Sequence, residues 1–155
     1  MPITFHAGDL DSLDVQDLLV FHFSEMRSHS PPDACHVLPL DGLRDRDVTF
    51  WSARDAGVLV GIGALKELAP DHGEVKSMRT APEALGRSVG RAILHHIVGE
   101  ARRRGYRRLS LETGSTPPFA AALRLYESEG FVPCGPFGSY RNTPFTRFFT
   151  SVLTN

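Results

Sequence analysis

Cysteine is scarce in this sequence, because Cys35 and Cys134 are the only two among 155 residues. Two cysteines are too few for a disulfide scaffold, which excludes the small secreted proteins that depend on one. Long apolar runs are also missing, since no stretch approaches the ~20 residues that a membrane helix needs. The chain start, from Met1 to His6, lacks the basic segment and apolar core of a signal peptide. The sequence therefore predicts a soluble cytoplasmic protein with free thiols.

An excess of charge of one sign is absent as well. The chain has 17 lysines and arginines against 18 aspartates and glutamates, which gives a formal net charge of −1. A near-neutral chain argues against nucleic acid or an anionic membrane as its main partner. Hydrophobic residues make up 41% and charged residues 23% of the chain, which excludes intrinsic disorder. At this length we expect one domain, spanning residues 1–155.

What is present is a regular alternation of strand-like and helix-like patterns. The short turns between the second, third and fourth strands indicate an antiparallel meander, and Asp9 or Asp11 is predicted to cap the first helix. The whole order predicts a mixed α/β or α+β domain around one sheet. The predicted elements, in chain order, are a strand at 3–7, a helix at 12–27, a partly helical stretch at 34–44, strands at 49–53, 58–65 and 74–80, a helix at 88–104, a strand at 109–113, a helix at 119–129, and strands beginning at 131 and 145.

A glycine-containing loop, residues 85–90, stands between a predicted strand and the longest predicted helix. Gly86 and Gly90 allow a sharp turn and a close approach of the backbone to a ligand. The free amides and positive dipole end of the helix that follows would suit a phosphate or pyrophosphate. Arg87 and Arg91 could add positive charge. The competing interpretation is a plain turn between a strand and a helix.

Three other motifs are excluded at this loop. Residues 86–90 match the G-x-S-x-G pattern of α/β-hydrolases, which requires an acidic residue and then a histidine later in the chain. No histidine follows His96 and no aspartate follows Asp71, so we reject a hydrolase. The G-x-G-x-x-G fingerprint and the Gly-Lys-Ser/Thr of a P-loop are both absent.

The stretch from Glu74 to Phe131 resembles the GNAT superfamily of acetyl-CoA-dependent N-acetyltransferases. The motif Gln/Arg-x-x-Gly-x-Gly/Ala of that family maps onto residues 85–90, and its Tyr-x-x-x-Gly-Phe motif maps onto residues 126–131. Residues 63–68, 72–80 and 109–114 resemble, more narrowly, a bacterial subgroup of small GNAT proteins. This resemblance implies a central, mostly antiparallel sheet of six to seven strands with about four helices.

The resemblance also implies acetyl-CoA as co-substrate. The sequence departs from the family pattern at Leu85, Ser88 and Phe119, where the family usually has Gln or Arg, Gly, and often Asn. The family binds the pantetheine arm and pyrophosphate mainly with backbone groups, so the loop shape matters more than these side chains. The cofactor-binding residues implied by the resemblance are Met78, Arg79, Thr80, Leu85, Gly86, Arg87, Ser88, Val89, Gly90, Arg91 and Phe119.

Two catalytic residues follow from the alignment with the family. Glu74 occupies the place of the general base that accepts a proton from the amine. The competing interpretation is a solvent-facing carboxylate paired with Lys76. Tyr126 occupies the place of the general acid for the departing thiolate, and its competing interpretation is a tyrosine of the core. Other residues on predicted strands or turns could serve as the base instead of Glu74, namely Glu67 and Glu112, with His72 a weaker candidate.

The acceptor is expected to be a primary amine of a small molecule, with peptide or protein N-termini and lysines as other possible acceptors. The alternatives are a non-catalytic acyl-CoA sensor and an RNA-associated basic helix at 102–104. A homodimer could form through the aromatic C-terminal strand, if that strand is an edge of the sheet. His95 and His96 have no third ligand at metal spacing. The residues expected to contact the acceptor are His36, Trp51, Glu67, Glu112 and Tyr140.

Overall fold

The computed structural model describes residues 2–153, so Met1, Thr154 and Asn155 of the predicted domain lie outside the described residues. Seven strands and four α-helices follow one another in the described chain, and three short 3-10 turns occur at 32–34, 82–84 and 117–119. The strands are β1 Ile3–Ala7, β2 Val48–Asp55, β3 Val58–Ala69, β4 His72–Thr80, β5 Arg108–Gly114, β6 Val132–Cys134 and β7 Thr146–Val152. The helices are α1 Leu13–His29, α2 Leu40–Leu43, α3 Val89–Arg103 and α4 Ala120–Ser128.

All seven strands form one sheet in the order β1-β2-β3-β4-β5-β7-β6. Only the β4–β5 pair is parallel, and the other five pairings in the sheet are antiparallel. The predicted meander and the predicted mixed α/β class are confirmed. β7 lies between β5 and β6, so the prediction that the C-terminal strand offers an edge for a homodimer is wrong. β7 pairs with β5 along seven residues, which places the C-terminal strand inside the sheet.

The first helix shows one difference from the sequence prediction. α1 begins at Leu13 after Ser12, and neither Asp9 nor Asp11 caps it. Asp9 instead accepts hydrogen bonds from Ser12, Ser52 and Arg54, and these contacts lower its pKa to about 2 against the opposing effect of burial. The carboxylate therefore ties the start of α1 to β2 rather than to the amides of the helix.

Helix α3 covers one face of the sheet at close range. Gly61 and Gly63 of β3 lie beneath it, and a Cβ atom at Gly63 would lie 2.6 Å from Cγ2 of Ile93. Side chains directly opposite each other on paired strands share a face of the sheet. Ile62 is opposite Arg79, so the two side chains share the face of the sheet that points away from α3. Arg79 contacts His22 of α1, which shows that α1 covers this second face. None of the helices in residues 2–153 has both the length and the apolar character required to cross a membrane.

The parallel pair β4–β5 opens a gap in the sheet. Three residue pairs join the two strands, from His72–Arg108 to Glu74–Ser110, and the pairing stops there. β4 also carries a bulge, because Ser77 and Met78 together oppose Gly63, and Ser77 has a left-handed φ of 56°. The bulge bends β4 beyond the point where β5 leaves it. The gap therefore connects the two faces of the sheet.

Candidate active site

A cavity of about 210 Å³ fills the gap between β4 and β5. Its wall is formed by the second half of α1, by His36 and Val37, by β4 from Glu74 to Arg79, by Glu112 and Thr113 of β5, and by the start of α4. The cavity thus receives side chains from elements on both faces of the sheet. A ligand that enters from one face can meet a second ligand from the other.

The edge of β4 that borders the cavity carries backbone groups suited to an extended ligand. Arg79 and Thr80 pair with Ile62 and Gly61 on their β3 side. On the opposite side β4 has no strand partner beyond Glu74 within residues 2–153. The open edge includes Met78, Arg79 and Thr80, where the sequence places the contacts with the pantetheine arm. Amide groups of such an arm can pair with an open strand edge as another strand would.

The predicted base Glu74 lies in a buried polar cluster. Its side chain is only 3% exposed. Its Oε2 accepts hydrogen bonds from Nζ of Lys76 at 3.2 Å and from the hydroxyl of Tyr140 at 2.5 Å. Lys76 also donates to the hydroxyl of Tyr140 at 2.7 Å. The pairing with Lys76 was expected, but the carboxylate is buried rather than solvent-facing.

A second carboxylate, Glu112, reaches the same cavity from β5. Its Oε2 lies 3.3 Å from Nδ1 of His36. Burial raises the pKa of Glu112, although the nearby charges of His36 and Lys76 oppose this effect. The ring of His36 in turn packs against Tyr140, with 4.8 Å between ring centroids. His36, Glu112, Glu74 and Tyr140 therefore form one connected group.

Tyr126 of α4 lines the cavity from the other face of the sheet. Its side chain is buried, and burial raises its pKa to about 12, against the opposing charge of Arg79. Tyr126 is therefore protonated at neutral pH and can act as a hydrogen-bond donor to a group in the cavity. Its ring also packs near Phe131, so the predicted core role and the cavity position are compatible.

The glycine loop precedes α3 beside the end of β4. Gly86 and Ser88 have left-handed φ values of 78° and 61°, and a Cβ atom at Gly86 would meet no heavy atom within 4 Å. The amide of Ala92 makes the first bond of the helix, to the carbonyl of Ser88, so the amides of Val89, Gly90 and Arg91 precede the intrahelical ladder. An open turn and a helix N-terminus fit the pyrophosphate of a CoA molecule.

Both arginines of this loop already contact carboxylates. Arg87 donates to Asp55 at 3.0 Å, and Arg91 contacts Glu129 and Ser128. Anion binding at this loop therefore depends first on backbone amides, and the arginine side chains would have to leave their partners to contribute. Leu85 is 68% exposed, so its side chain does not pack in the core.

Two residues predicted at the acceptor site lie away from the cavity. Trp51 is buried in the core, where its ring packs edge-on against His96 at 4.9 Å between centroids. Glu67 accepts a hydrogen bond from the hydroxyl of Tyr106 at 2.8 Å, near the far end of β3. Trp51 lies on β2, away from the gap, and Glu67 pairs with Gly73, so its side chain is on the face of the sheet opposite that of Glu74.

The remaining predicted residues have clear places. Phe119 lines the cavity and packs edge-on against Phe145. Tyr140 does not line the cavity itself, but it hydrogen-bonds to Glu74 and Lys76, which do. His72 bonds to Ser110 at 2.7 Å, and burial lowers its pKa. Cys35 and Cys134 are free, and residues 2–153 contain no group of three side chains that could hold a metal ion.

Sequence reasoning missed the contribution of α1 to the cavity. The second half of α1 lines the cavity with four residues, His22, Glu25, Met26 and His29. Nε of Arg79 donates to Nδ1 of His22 at 2.9 Å. A polar residue at position 22 among apolar residues at 18, 19, 23 and 26 was the available signal, because such a residue lies on the buried side of the helix.

Comparisons with known proteins agree with this geometry. The model of the acetyltransferase (GNAT) family matches residues 13–131. The Bacillus subtilis N-acetyltransferase YsnE, whose name describes it as uncharacterized, is 48% identical over 145 residues, covering 94% of this chain and 96% of YsnE. The Escherichia coli N-acetyltransferase YedL, likewise named as uncharacterized, is 47% identical over 150 residues, covering 97% and 94%. A GNAT family acetyltransferase from Elizabethkingia anophelis, solved with acetyl-CoA bound, shares the fold at a TM-score of 0.65 and 15% identity, covering 97% and 98%.

Proposed function

The chain belongs to the GNAT family of acetyltransferases, and on that premise we propose that it transfers the acetyl group of acetyl-CoA to the primary amine of a small molecule. The observation that carries the proposal is the cavity in the gap between β4 and β5, which Glu74, Glu112 and Tyr126 all line. At about 210 Å³ it is smaller than the ~300–1,000 Å³ of most ligand pockets. Such a volume suits the acetyl end of the cofactor and a small acceptor.

The co-substrate would lie along the open edge of β4, with its pyrophosphate at the loop of residues 85–91. Met78, Arg79 and Thr80 offer backbone groups to the pantetheine arm. Acetyl-CoA supplies an activated acyl group whose thioester an amine can attack directly. The open left-handed turn at Gly86 supports the phosphate contact. The single domain over residues 1–155 stays a prediction within this proposal.

A carboxylate in the cavity accepts the proton of the acceptor amine. An aliphatic amine has a pKa near ~10.4 and arrives protonated, so it needs such a base before it can attack. Oε2 of Glu74 already accepts hydrogen bonds from Lys76 and Tyr140, so it is less available to a further donor. Glu112 has a raised pKa, which brings it closer to that of the amine. This difference favours Glu112 as the proton acceptor over Glu74.

Tyr126 supports departure of the thiolate. A thiol has a pKa near ~8.5, whereas the pKa of Tyr126 is about 12, so complete transfer of the phenol proton to sulfur is uphill. Tyr126 therefore stabilises the thiolate mainly by donating a hydrogen bond to it. Such a donor acts mainly on the transition state. Its loss therefore lowers kcat more than it lowers the affinity for the cofactor.

The experiment is a thiol-release assay with acetyl-CoA and a panel of small amines. We expect Tyr126→Phe to lower kcat by at least about tenfold while acetyl-CoA affinity, measured by isothermal titration, changes little. Tyr106→Phe is the matched control, because it removes another buried tyrosine hydroxyl outside the cavity, and it should turn over at the wild-type rate. Tight binding of acetyl-CoA with no thiol release from any amine would contradict the proposal. An unchanged kcat in Tyr126→Phe would remove the tyrosine from the reaction.

A further inference from the structure

Arg79 places a cation in the wall of the cavity. Its side chain leaves β4 on the face that α1 covers, and Nε donates to Nδ1 of His22 at 2.9 Å. The guanidinium lies over the ring of Phe21, with 5.7 Å between Cζ and the ring centroid. These two contacts from one helix fix the plane of the guanidinium and leave its two Nη groups at the other end.

Among residues 2–153, the charge of Arg79 has no anionic partner in contact. His22 is buried and its pKa is lowered to about 3, first by burial and then by the charge of Arg79, so it accepts the hydrogen bond as a neutral ring. Within residues 2–153 no carboxylate lies within ion-pair distance of Arg79, and neither Nη group donates a hydrogen bond. Glu25 acts on Arg79 through its charge without touching it. The Nη nitrogens of Arg79 are not among the buried unpartnered atoms, so they are accessible from the cavity that Arg79 lines.

The other charges of the cavity are arranged differently. Glu74 has Lys76 and Tyr140 as partners, and Glu112 has His36. An acceptor amine would therefore meet carboxylates on the β4–β5 side of the cavity, whereas the Nη groups of Arg79 would meet an anion on the α1 side. The fork of an arginine matches the two oxygens of a carboxylate in geometry and charge. Glu25 limits how many negative charges this side can accept.

We infer that the acceptor is an amine that also carries a carboxylate, such as an amino acid, and that this carboxylate binds the Nη groups of Arg79. The inference rests on the proposed function, since it names the class of amine that the same cavity acetylates. Arg79 is then a specificity-determining residue, and its backbone still belongs to the edge that faces the co-substrate. No step of the acetyl transfer itself passes through its side chain.

The test compares free amino acids with their carboxamides as acceptors in the thiol-release assay. For each pair we take the ratio of kcat/KM for the acid to kcat/KM for the amide, and we compare this ratio between the wild type and a variant. The two amines differ in basicity, but this difference is the same for both enzymes and cancels in the comparison. We expect the ratio to fall by at least about tenfold in Arg79→Met, through a higher KM for the acid. Arg27→Met is the matched control, because Arg27 is an exposed arginine of α1 outside the cavity wall, and its ratio should equal that of the wild type.

Each outcome decides between the inference and its premise. A ratio in Arg79→Met equal to the wild-type ratio, or a wild-type enzyme that acetylates only amines without a carboxylate, overturns the inference and leaves the proposed function intact. If no amine releases thiol, the proposed function fails. Titration of the amino acids into the wild type and Arg79→Met then tests the carboxylate site alone, and equal affinities would overturn it. Arg79→Lys keeps the charge and loses the fork, so it should show an intermediate ratio if Arg79→Met fails to fold.

Discussion

Glu74 and Glu112 are the same residue type on neighbouring strands, and both reach one cavity. Glu74 is almost fully buried and bonded to Lys76 and Tyr140, whereas Glu112 has His36 beside it and a pKa raised by burial. Two hydrogen-bond donors already occupy the carboxylate of Glu74, whereas burial favours the neutral form of Glu112. The two residues are therefore suited to different tasks.

This difference gives opposite expectations for two isosteric variants. Glu112→Gln should fold normally and lower kcat/KM by about a hundredfold, because a glutamine cannot accept the proton of the amine. A carboxyl with a raised pKa is protonated and inactive at low pH, so wild-type activity should rise with pH through a value above the ordinary 4.5, and this limb should be lost in Glu112→Gln. The measurement is a pH profile of kcat/KM.

Glu74→Gln should instead act on stability. It leaves Lys76 buried without its anion, and breaking a buried pair in this way costs about 3–5 kcal/mol. Urea unfolding of the two variants measures the difference. If Glu74→Gln has wild-type stability and lacks the acid limb of the pH profile, Glu74 is the base and the roles proposed for the two residues are reversed.

The glycine loop and the bulged strand are the elements that build the site. Ser77, Gly86 and Ser88 all have left-handed φ values, and they lie in the bulge of β4 and in the turn before α3. The bulge turns β4 away from β5, and the turn aims the first amides of α3 outward. Two local backbone distortions therefore shape both the gap and the loop proposed to bind an anion.

Gly86→Val tests the element proposed to bind the pyrophosphate. Valine is strained at a φ of 78°, and its side chain would stand where the phosphate approaches, so the Kd for acetyl-CoA should rise by at least about tenfold. Gly8→Val is the control, since Gly8 has the same φ of 78° and the same open surroundings at the end of β1. Isothermal titration should find wild-type affinity in Gly8→Val. Equal affinities in both variants would remove the loop from the site.

Across the whole molecule, one sheet carries helices on both faces, and the gap is the place where the faces meet. The approach of α3 to β3 depends on Gly61 and Gly63, because larger residues there would push the helix away. Buried apolar residues from α1, α3 and the central strands form one continuous core.

Gly63→Ala should therefore lower the stability of the entire fold. The added methyl group would lie 2.6 Å from Ile93 and 3.1 Å from Ile97, and such overpacking costs about 1–3 kcal/mol in the free energy of unfolding. Gly99→Ala offers the opposite case, because Gly99 is exposed in α3 with open surroundings, and the higher helix propensity of alanine should add up to about 1 kcal/mol. Urea unfolding measures both. A Gly63→Ala variant as stable as the wild type would show that α3 moves freely on the sheet.

Sequence patterns were sufficient for every strand and for the three long helices, because alternation and helical spacing report directly which side of an element is buried. They also located the glycine loop, since Gly86 and the start of α3 are contiguous in the chain. The acceptor side was predicted less completely: His36, Glu112 and Tyr140 belong to the connected group around Glu74, whereas Trp51 and Glu67 lie elsewhere. His22 and its neighbours on α1 were missed altogether.

The sequence by itself determined the element order, the family and the position of the glycine loop, because each of these depends on residues close together in the chain. Only the tertiary structure decided which charges meet in the cavity. Arg79 and His22 are 57 positions apart, and Tyr140 and Glu74 are 66 positions apart, so no local pattern brings them together. Their pairing, and the unpaired charge of Arg79, follow from burial and from the path of α1 over the gap. These are properties of the packed chain that no short segment carries.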